Sequence, residues 1–404
     1  MEKLLMLVHR IPYPPNKGDK IRSYHMLRHL AQHYNVVLAT FVDDPDDWRY
    51  APLVREMCVD AYFGALKPWP ARMRCLAALC SQEPLSLAWY RDAKLEQWVR
   101  AAMARERIRR IVVFSSPMAQ YAQPYTSSRQ VIDFCDVDSD KWRQYARARR
   151  WPASWLYGRE ARRLLDYERA VAQRADSALF VSRPEAHLFR SLAPESAAKT
   201  GHFNIGVDST FFSPARDYPN PYLPGVEAIV FCGAMDYWPN VDAARWFAQD
   251  VLPLVRRERP AAVFYIVGAR PSAEVRKLEK PGLVCVTGTV PDVRPYVAHA
   301  AVSVAPLRIA RGVQTKVLEA MAMAKTVVLS PQALAGIEAT PGEELLLANG
   351  SAEFAAQVLR ALARPDPRLG RAARLGVRRR YAWSTSLDHV VQQIEGGRTL
   401  HAAQ

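Results

Sequence analysis

The chain has 404 residues, half of them hydrophobic, and sets 55 lysines and arginines against 40 aspartates and glutamates, for a net charge of +15. That length exceeds one ordinary hydrophobic core, so two domains are expected. No run approaches the ~20 apolar residues that a bilayer-crossing helix needs, so any membrane contact is expected at the surface.

The basic excess favours anionic partners without choosing among nucleotide phosphates, acidic lipid and nucleic acid. Cysteines 58, 75, 80, 135, 232 and 285 show no Cys-x-x-Cys spacing and read as reduced core residues, which places the chain in the cytoplasm. The opening Met1-Glu-Lys-Leu-Leu-Met-Leu-Val8 is too short an apolar run for a signal peptide and reads as a first strand.

In chain order, strand-like runs fall at Leu4–Val8, Asn35–Val42, Ile111–Phe114, Gln130–Phe134 and Ser177–Val181. A second set falls at Ala228–Cys232, Ala262–Val267, Leu283–Val286, Ala301–Ala305 and Thr326–Leu329. Helical stretches separate them, and that alternation predicts an α/β chain with parallel, doubly wound sheets. Between the sets lies 211–225, where Pro214, Pro219, Pro221 and Pro224 oppose both helix and central strand. The expected plan is an N-terminal Rossmann-like domain at 1–210, a linker at 211–225 and a C-terminal Rossmann-like domain at 226–385. The last segment, 386–404, is expected as a helix packing back on the first domain. Two such domains would face across a cleft, with the carboxyl ends of both sheets toward one ligand.

After the first strand, Asn16-Lys-Gly-Asp-Lys20 opens a helix running to about His33. Gly18 would let a ligand approach the backbone, with Asp19 and Lys17 as contacts. On that helix His25, His29 and His33 share one face. Zinc could use such spacing, but no neighbouring carboxylate or cysteine completes a set, so the three are read as a surface stripe. Asp136, just past the strand 130–134, has two readings: a ligand to a sugar or acceptor hydroxyl, or a helix N-cap. From Lys141 to Tyr157 arginines alternate with Trp142, Tyr145, Trp151 and Trp155, and 67–79 is similar in kind. Such a mixture suits an anionic membrane interface; the alternative is aromatics in the core beside solvated arginines.

In the second half, Asn240 after Pro239 reads as the N-cap of a helix at 241–247. The strongest local pattern is Arg311-Gly-Val-Gln-Thr-Lys-Val-Leu-Glu319 between two strand-like runs, a βαβ unit. The start of its helix is an anion site. Gly312, Lys316 and Glu319, spaced by four and three, are expected on one helical face. Lys316 with the amides of Gly312 and Val313 would hold a diphosphate, and Glu319 would accept from a sugar diol. A lone helix with these residues would equally describe a solvated amphipathic face.

Four further segments extend this pattern: Ala175-Asp-Ser-Ala-Leu-Phe-Val-Ser182, Gly206-Val-Asp-Ser-Thr-Phe-Phe212, Ile229-Val-Phe-Cys-Gly-Ala-Met-Asp236 and Tyr265-Ile-Val-Gly268. With 311–328, they resemble retaining glycosyltransferases of family 4, which have the GT-B fold. The opening 13–23 and Asp136-Val-Asp-Ser-Asp-Lys-Trp142 are similar to a narrower group, sugar transferases of exopolysaccharide and PEP-CTERM systems. The resemblance implies transfer of a sugar, with retention, from a nucleotide diphosphate sugar, with no metal ion and no separate cofactor. It places Gly233 and Arg311 with the donor-binding residues, and Asp136, Lys316 and Glu319 at the chemistry. The departures are specific. Arg311 stands where the family has a first glutamate, and Asp236-Tyr-Trp-Pro-Asn240 replaces its Arg and Lys pair.

The expected partners are therefore a nucleotide-sugar donor, a lipid-linked or glycan acceptor and an anionic membrane surface on the cytoplasmic side, with no nucleic acid. The competing functions are a sugar-nucleotide epimerase of the same fold and a basic membrane- or nucleic-acid-binding protein without catalysis.

Overall fold

A computed structural model describes residues 1–15, 17–310 and 312–397. It divides into two compact units, Met1–Phe203 with the segment from Ser386 onward, and Asn204–Thr385.

Unit 1 is built on a seven-stranded parallel sheet with strand order β3-β2-β1-β4-β5-β6-β7. The strands are β1 (Lys3–Val8), β2 (Asn35–Val42), β3 (Asp60–Ala65), β4 (Arg110–Phe114), β5 (Arg129–Cys135), β6 (Ser177–Phe180) and β7 (Thr200–His202). β1 is central, with Leu5 paired to Val37 on one side and Ile111 on the other. Leu4 through Val8 are fully buried, because helices cover both faces of a parallel sheet and each strand must be apolar throughout. The helices of this unit include α1 (Gly18–His33), α2 (Pro68–Leu79), the short α3 (Leu85–Trp89), α4 (Asp138–Ala148) and α5 (Ala153–Arg174).

A buried ion pair locks α1 to this sheet. Arg22 donates to Asp133 through Nε at 2.7 Å and Nη2 at 3.1 Å, and to the Phe203 carbonyl at 2.9 Å. Its guanidinium carbon lies 3.4 Å from the Phe203 ring centroid, so the charge is both paired and stacked.

Unit 2 carries a six-stranded parallel sheet in the order β10-β9-β8-β11-β12-β13. Its strands are β8 (Glu227–Cys232), β9 (Ala262–Val267), β10 (Val284–Gly288), β11 (Val302–Ala305), β12 (Val327–Leu329) and β13 (Leu346–Leu347). The helices that shape its site are α6 (Trp238–Trp246) and α7 (Thr315–Ala322). The last helix, α8 (Trp383–Glu395), begins in unit 2 and from Ser386 belongs to unit 1. There its end is anchored: Arg129 donates to the Gln393 carbonyl at 2.8 Å and Arg110 to Glu395 at 2.8 Å.

The chain enters unit 2 at Asn204, ahead of the proline-rich stretch at 211–225. Val207 N–H donates to the Tyr381 carbonyl at 2.7 Å, and Arg374 donates to the Ser209 and Phe212 carbonyls at 3.2 and 3.1 Å. These bonds fasten 204–212 to unit 2, so the expected boundary at 210 moves to 203. The last helix, expected at 386–404, begins three residues earlier at Trp383 and is preceded by a helix at Pro367–Arg380; the expected part beyond 397 lies outside the described residues.

In both sheets the strand order reverses beside the first strand, between β1 and β4 and between β8 and β11. Doubly wound sheets bind ligands outside the carboxyl ends of the strands at such a reversal. Each unit therefore has one favoured place for a site.

Candidate active site

In unit 2 the reversal brings together the loop after β8, the loop after β9 and the start of α7. Gly233 follows β8, and its N–H donates to the Val267 carbonyl at 3.0 Å. A Cβ there would lie 2.8 Å from Asn240 Nδ2 and 3.4 Å from Lys316 Nζ, so a side chain would displace Asn240 and come into contact with the lysine. Gly268 has φ +148°, and a Cβ on it would lie 1.8 Å from the Gly233 carbonyl oxygen. Backbone cannot yield as a side chain can, so glycine is required there.

Lys316 lies on the first turn of α7. Its Nζ donates to Asn240 Oδ1 at 2.5 Å and sits 5.0 Å from the Phe231 ring centroid. Asn240 is buried on α6 and donates through Nδ2 to the Ala234 carbonyl at 2.9 Å. It is therefore not the N-cap expected from the sequence: α6 starts at Trp238, Tyr237 holds the cap position, and Asn240 orients the lysine. One N–H of the ammonium is used on Asn240, which leaves the others for an anion.

Glu319, three residues on, shares the α7 face with Lys316. Burial pushes the Glu319 carboxyl up to about 7 against the pull of Lys316. Burial also lowers Lys316 to about 8, while Cys232 and Glu319 pull it upward. The Cys232 thiol is pushed up to about 12 by burial and by Glu319. Both charges thus sit in a poorly solvated place, where an incoming phosphate would favour the protonated lysine.

Gly312 does not lie on the helix. Its φ of +64° is left-handed and α7 starts at Thr315, so the expected three-residue face reduces to Lys316 and Glu319. Gly312 and Val313 form the approach to the helix. Gln314 donates to the Gly312 carbonyl at 3.3 Å, and a Cβ on Gly336 would sit 3.6 Å from Val313 Cγ2. Arg311 lies outside the described residues. Two other cations nearby are paired, Arg270 with Asp236 at 2.6 Å and Arg308 with Asp242 at 2.9 Å.

In unit 1 a cavity of about 370 Å³ opens between the ends of β1 and β4 and helices α2 to α5. Trp89, Tyr90, Trp142 and Tyr157 give it aromatic walls, and His9, Asp138, Lys141 and Glu160 add polar groups. His9 directly follows β1. Its ring stacks on Phe114 with centroids 5.8 Å apart and meets Tyr90 edge-on. His9 Nε2 is 3.4 Å from Asp19 Oδ2, while Nδ1 is buried without a hydrogen-bond partner. Asp19 also accepts from Arg10 at 2.7 Å. Burial opposes its ionisation, yet His9 and Arg10 hold it far below the usual carboxylate range. The expected ligand contact at Asp19 is thus a residue that orients His9. A Cβ on Gly18 would meet open space, so the local fold does not itself demand glycine there.

Asp136 is exposed and does not line the cavity; Asp138, two residues on, does. Burial raises the Asp138 carboxyl, Lys141 opposes, and their charged atoms are 3.7 Å apart. The α4 N-cap position is Val137, so the capping alternative for Asp136 is off by one residue. Glu160 is committed: it accepts from the Leu85 and Ser86 amides at 2.6 and 2.9 Å, capping α3. His9 and Asn240 carried only weak sequence signals, a polar residue ending a buried strand and an asparagine after proline.

Residues 227–364, which include Gly233, Asn240, Lys316 and Glu319, match the family model described as Glycosyl transferases group 1. Among solved structures, the chain is similar over its whole length to sucrose-phosphate synthase from Thermosynechococcus elongatus, at 18% identity and TM-score 0.69, covering 98% of this chain and 99% of that one. It is also similar to Anabaena HepE in complex with UDP, at 12% identity and TM-score 0.67, covering 98% and 100%. The UDP-forming trehalose-phosphate synthase from Burkholderia vietnamiensis gives 14% identity and TM-score 0.63, with 98% and 100% covered. No curated protein sequence matches the chain. The match to the glycosyl transferases group 1 model thus falls within unit 2, and the likeness to these structures shows the GT-B fold over the whole chain.

Proposed function

We propose that this protein is a glycosyltransferase that moves a sugar, with retention, from a nucleotide diphosphate sugar to a lipid-linked glycan in the assembly of an exported polysaccharide. The observation that carries the reading is the Asn240-held ammonium of Lys316 at the start of α7, with Glu319 one turn deeper. The ammonium and the helix N-terminus meet the diphosphate charge, so the reading needs no divalent ion there. Glu319 accepts from the ribose hydroxyls. HepE was solved with UDP and with UDP-glucose, which makes uridine donors the first to try.

In the reaction the bond from the anomeric carbon to the diphosphate oxygen breaks, and its electron pair leaves with the nucleotide. Lys316 stabilises that developing charge, which is where a fixed cation contributes most. The acceptor oxygen bonds to the same face of the sugar, and its proton passes to the departing phosphate. The unit 1 cavity holds the acceptor: its aromatic walls suit the apolar face of a sugar ring, and His9 Nδ1 and Asp138 receive hydroxyls other than the attacking one.

The membrane part of the reading rests on a surface of unit 1. Trp69, Met73 and Leu76 recur at helical spacing on α2 and are exposed, Trp69 by 72%. Trp151, 80% exposed, and Trp155 stand at the start of α5, with exposed Arg147, Arg149 and Arg150 beside them in sequence. Tryptophan with arginine suits anionic headgroups, and the described residues include no helix long and apolar enough to cross a membrane.

The test is turnover of UDP-, GDP- and ADP-sugars with a lipid-linked glycan acceptor, the product anomer read by NMR. Transfer with retained configuration supports the reading. Isomerised donor without transfer would make the protein an epimerase, and inert donors would refute the site.

A further inference from the structure

We propose that His29 and His33 of α1 and Asp388 of α8 form a binding site for a divalent transition-metal ion such as Zn²⁺. Local sequence offers the two imidazoles no carboxylate, but the fold brings one from 355 residues along the chain. One ligand atom from each of the three lies within 4.8 Å of the others. His29 Nε2 is 3.1 Å from Asp388 Oδ1, and the two rings have centroids 4.9 Å apart.

The geometry has three parts. Histidines four apart on a helix chelate one ion from a single face. Two nitrogens and one carboxylate oxygen are the donor set of borderline ions, and three protein ligands leave one tetrahedral position for water. The His29 side chain is largely covered and fixed, whereas His33 and Asp388 are exposed and free to close around an ion by small rotations. All three residues lie in unit 1, and none is among the residues assigned to donor or acceptor.

The consequence is a staple. The far end of α8 is held by Arg110 and Arg129, at Glu395 and Gln393. An ion at Asp388 would fix the helix two turns earlier, where it joins unit 1. Metal would then set how firmly this segment is docked, whatever the reaction.

The experiment uses the full chain after chelator treatment, titrated with Zn²⁺ against a chromogenic chelator and, separately, with Co²⁺ followed by absorption. One ion per chain is expected, with a melting temperature raised by roughly 5 °C at a hundredfold excess over Kd and slower amide exchange at 386–395. His33→Ala and Asp388→Ala, both exposed substitutions, should each weaken binding tenfold or more. Affinity unchanged in both variants would overturn the proposal. So would a thiolate charge-transfer band with Co²⁺, which would place the ion on a free cysteine, or bound Zn²⁺ with no added protection of α8.

Discussion

Lys316 donates to Asn240 Oδ1 at 2.5 Å, and Gly233 is the residue whose missing side chain lets them meet. Removing the amide should therefore loosen the lysine without unfolding α6. Asn240→Ala is expected to raise the donor KM about tenfold, because one hydrogen bond to a charged group contributes about 1.5–3 kcal/mol. Gly233→Ala should do the same or worse, since its Cβ would press on Asn240. Steady-state kinetics with a fixed acceptor check both; an unchanged donor KM would mean that Lys316 needs no orienting partner.

The same pair sets a pH dependence. Donor binding needs a charged Lys316, which is lost as pH rises through about 8, and an ionised Glu319, which is lost as pH falls through about 7. The kcat/KM profile should be a bell with a narrow maximum between those values. Lys316→Arg should remove the alkaline limb, because a guanidinium stays charged. A flat profile from pH 6 to 9 would show that neither group titrates in the free enzyme.

Stability has its own weak point in unit 1. Arg22 is buried with Asp133, so Asp133→Ala leaves a charge without its partner and should cost about 3–5 kcal/mol. Asp133→Asn, which keeps an acceptor, should cost less. Urea midpoints compare the variants, and equal midpoints would mean that the Phe180 and Phe203 carbonyls suffice for Arg22.

Acceptor recognition is separable from donor recognition. His9→Ala should raise the acceptor KM while leaving slow hydrolysis of the donor unchanged, since His9 lines the unit 1 cavity and is held by Asp19. Equal loss in both assays would assign His9 to the fold.

Membrane contact predicts a third behaviour. Trp69→Ala combined with Trp151→Ala should cut cosedimentation with vesicles containing anionic phospholipid. Raising the salt should weaken what remains of an electrostatic attachment. Activity on a short, soluble acceptor should survive. Wild-type protein that ignores such vesicles would remove the membrane from the account.

The buried strands were legible because parallel strands covered on both faces are continuous apolar runs, as in Leu4–Val8. The edges were not. β3 carries Asp60 and Gly64, β7 has three residues and β13 two, too little for a pattern. Lys316 and Glu319 announced themselves by helical spacing beside two strands. Gly312 misled, because a left-handed residue before a helix looks in sequence like its first turn. His9 and Asn240 depend on partners farther along the chain, Asp19 and Lys316, and Asp138 faces a cavity walled by other elements, so only the folded topology reveals what they face. Asp388, the proposed third ligand beside His29 and His33, was invisible for the same reason.

The central claim is that a nucleoside diphosphate rests at the start of α7 with its ribose on Glu319. Calorimetric titration of UDP, GDP and ADP into the wild-type protein, Lys316→Ala and Glu319→Ala tests it directly. The account predicts that one nucleotide binds the wild type and that each variant, still folded by circular dichroism, binds it at least tenfold more weakly. Equal affinity in all three proteins would contradict it.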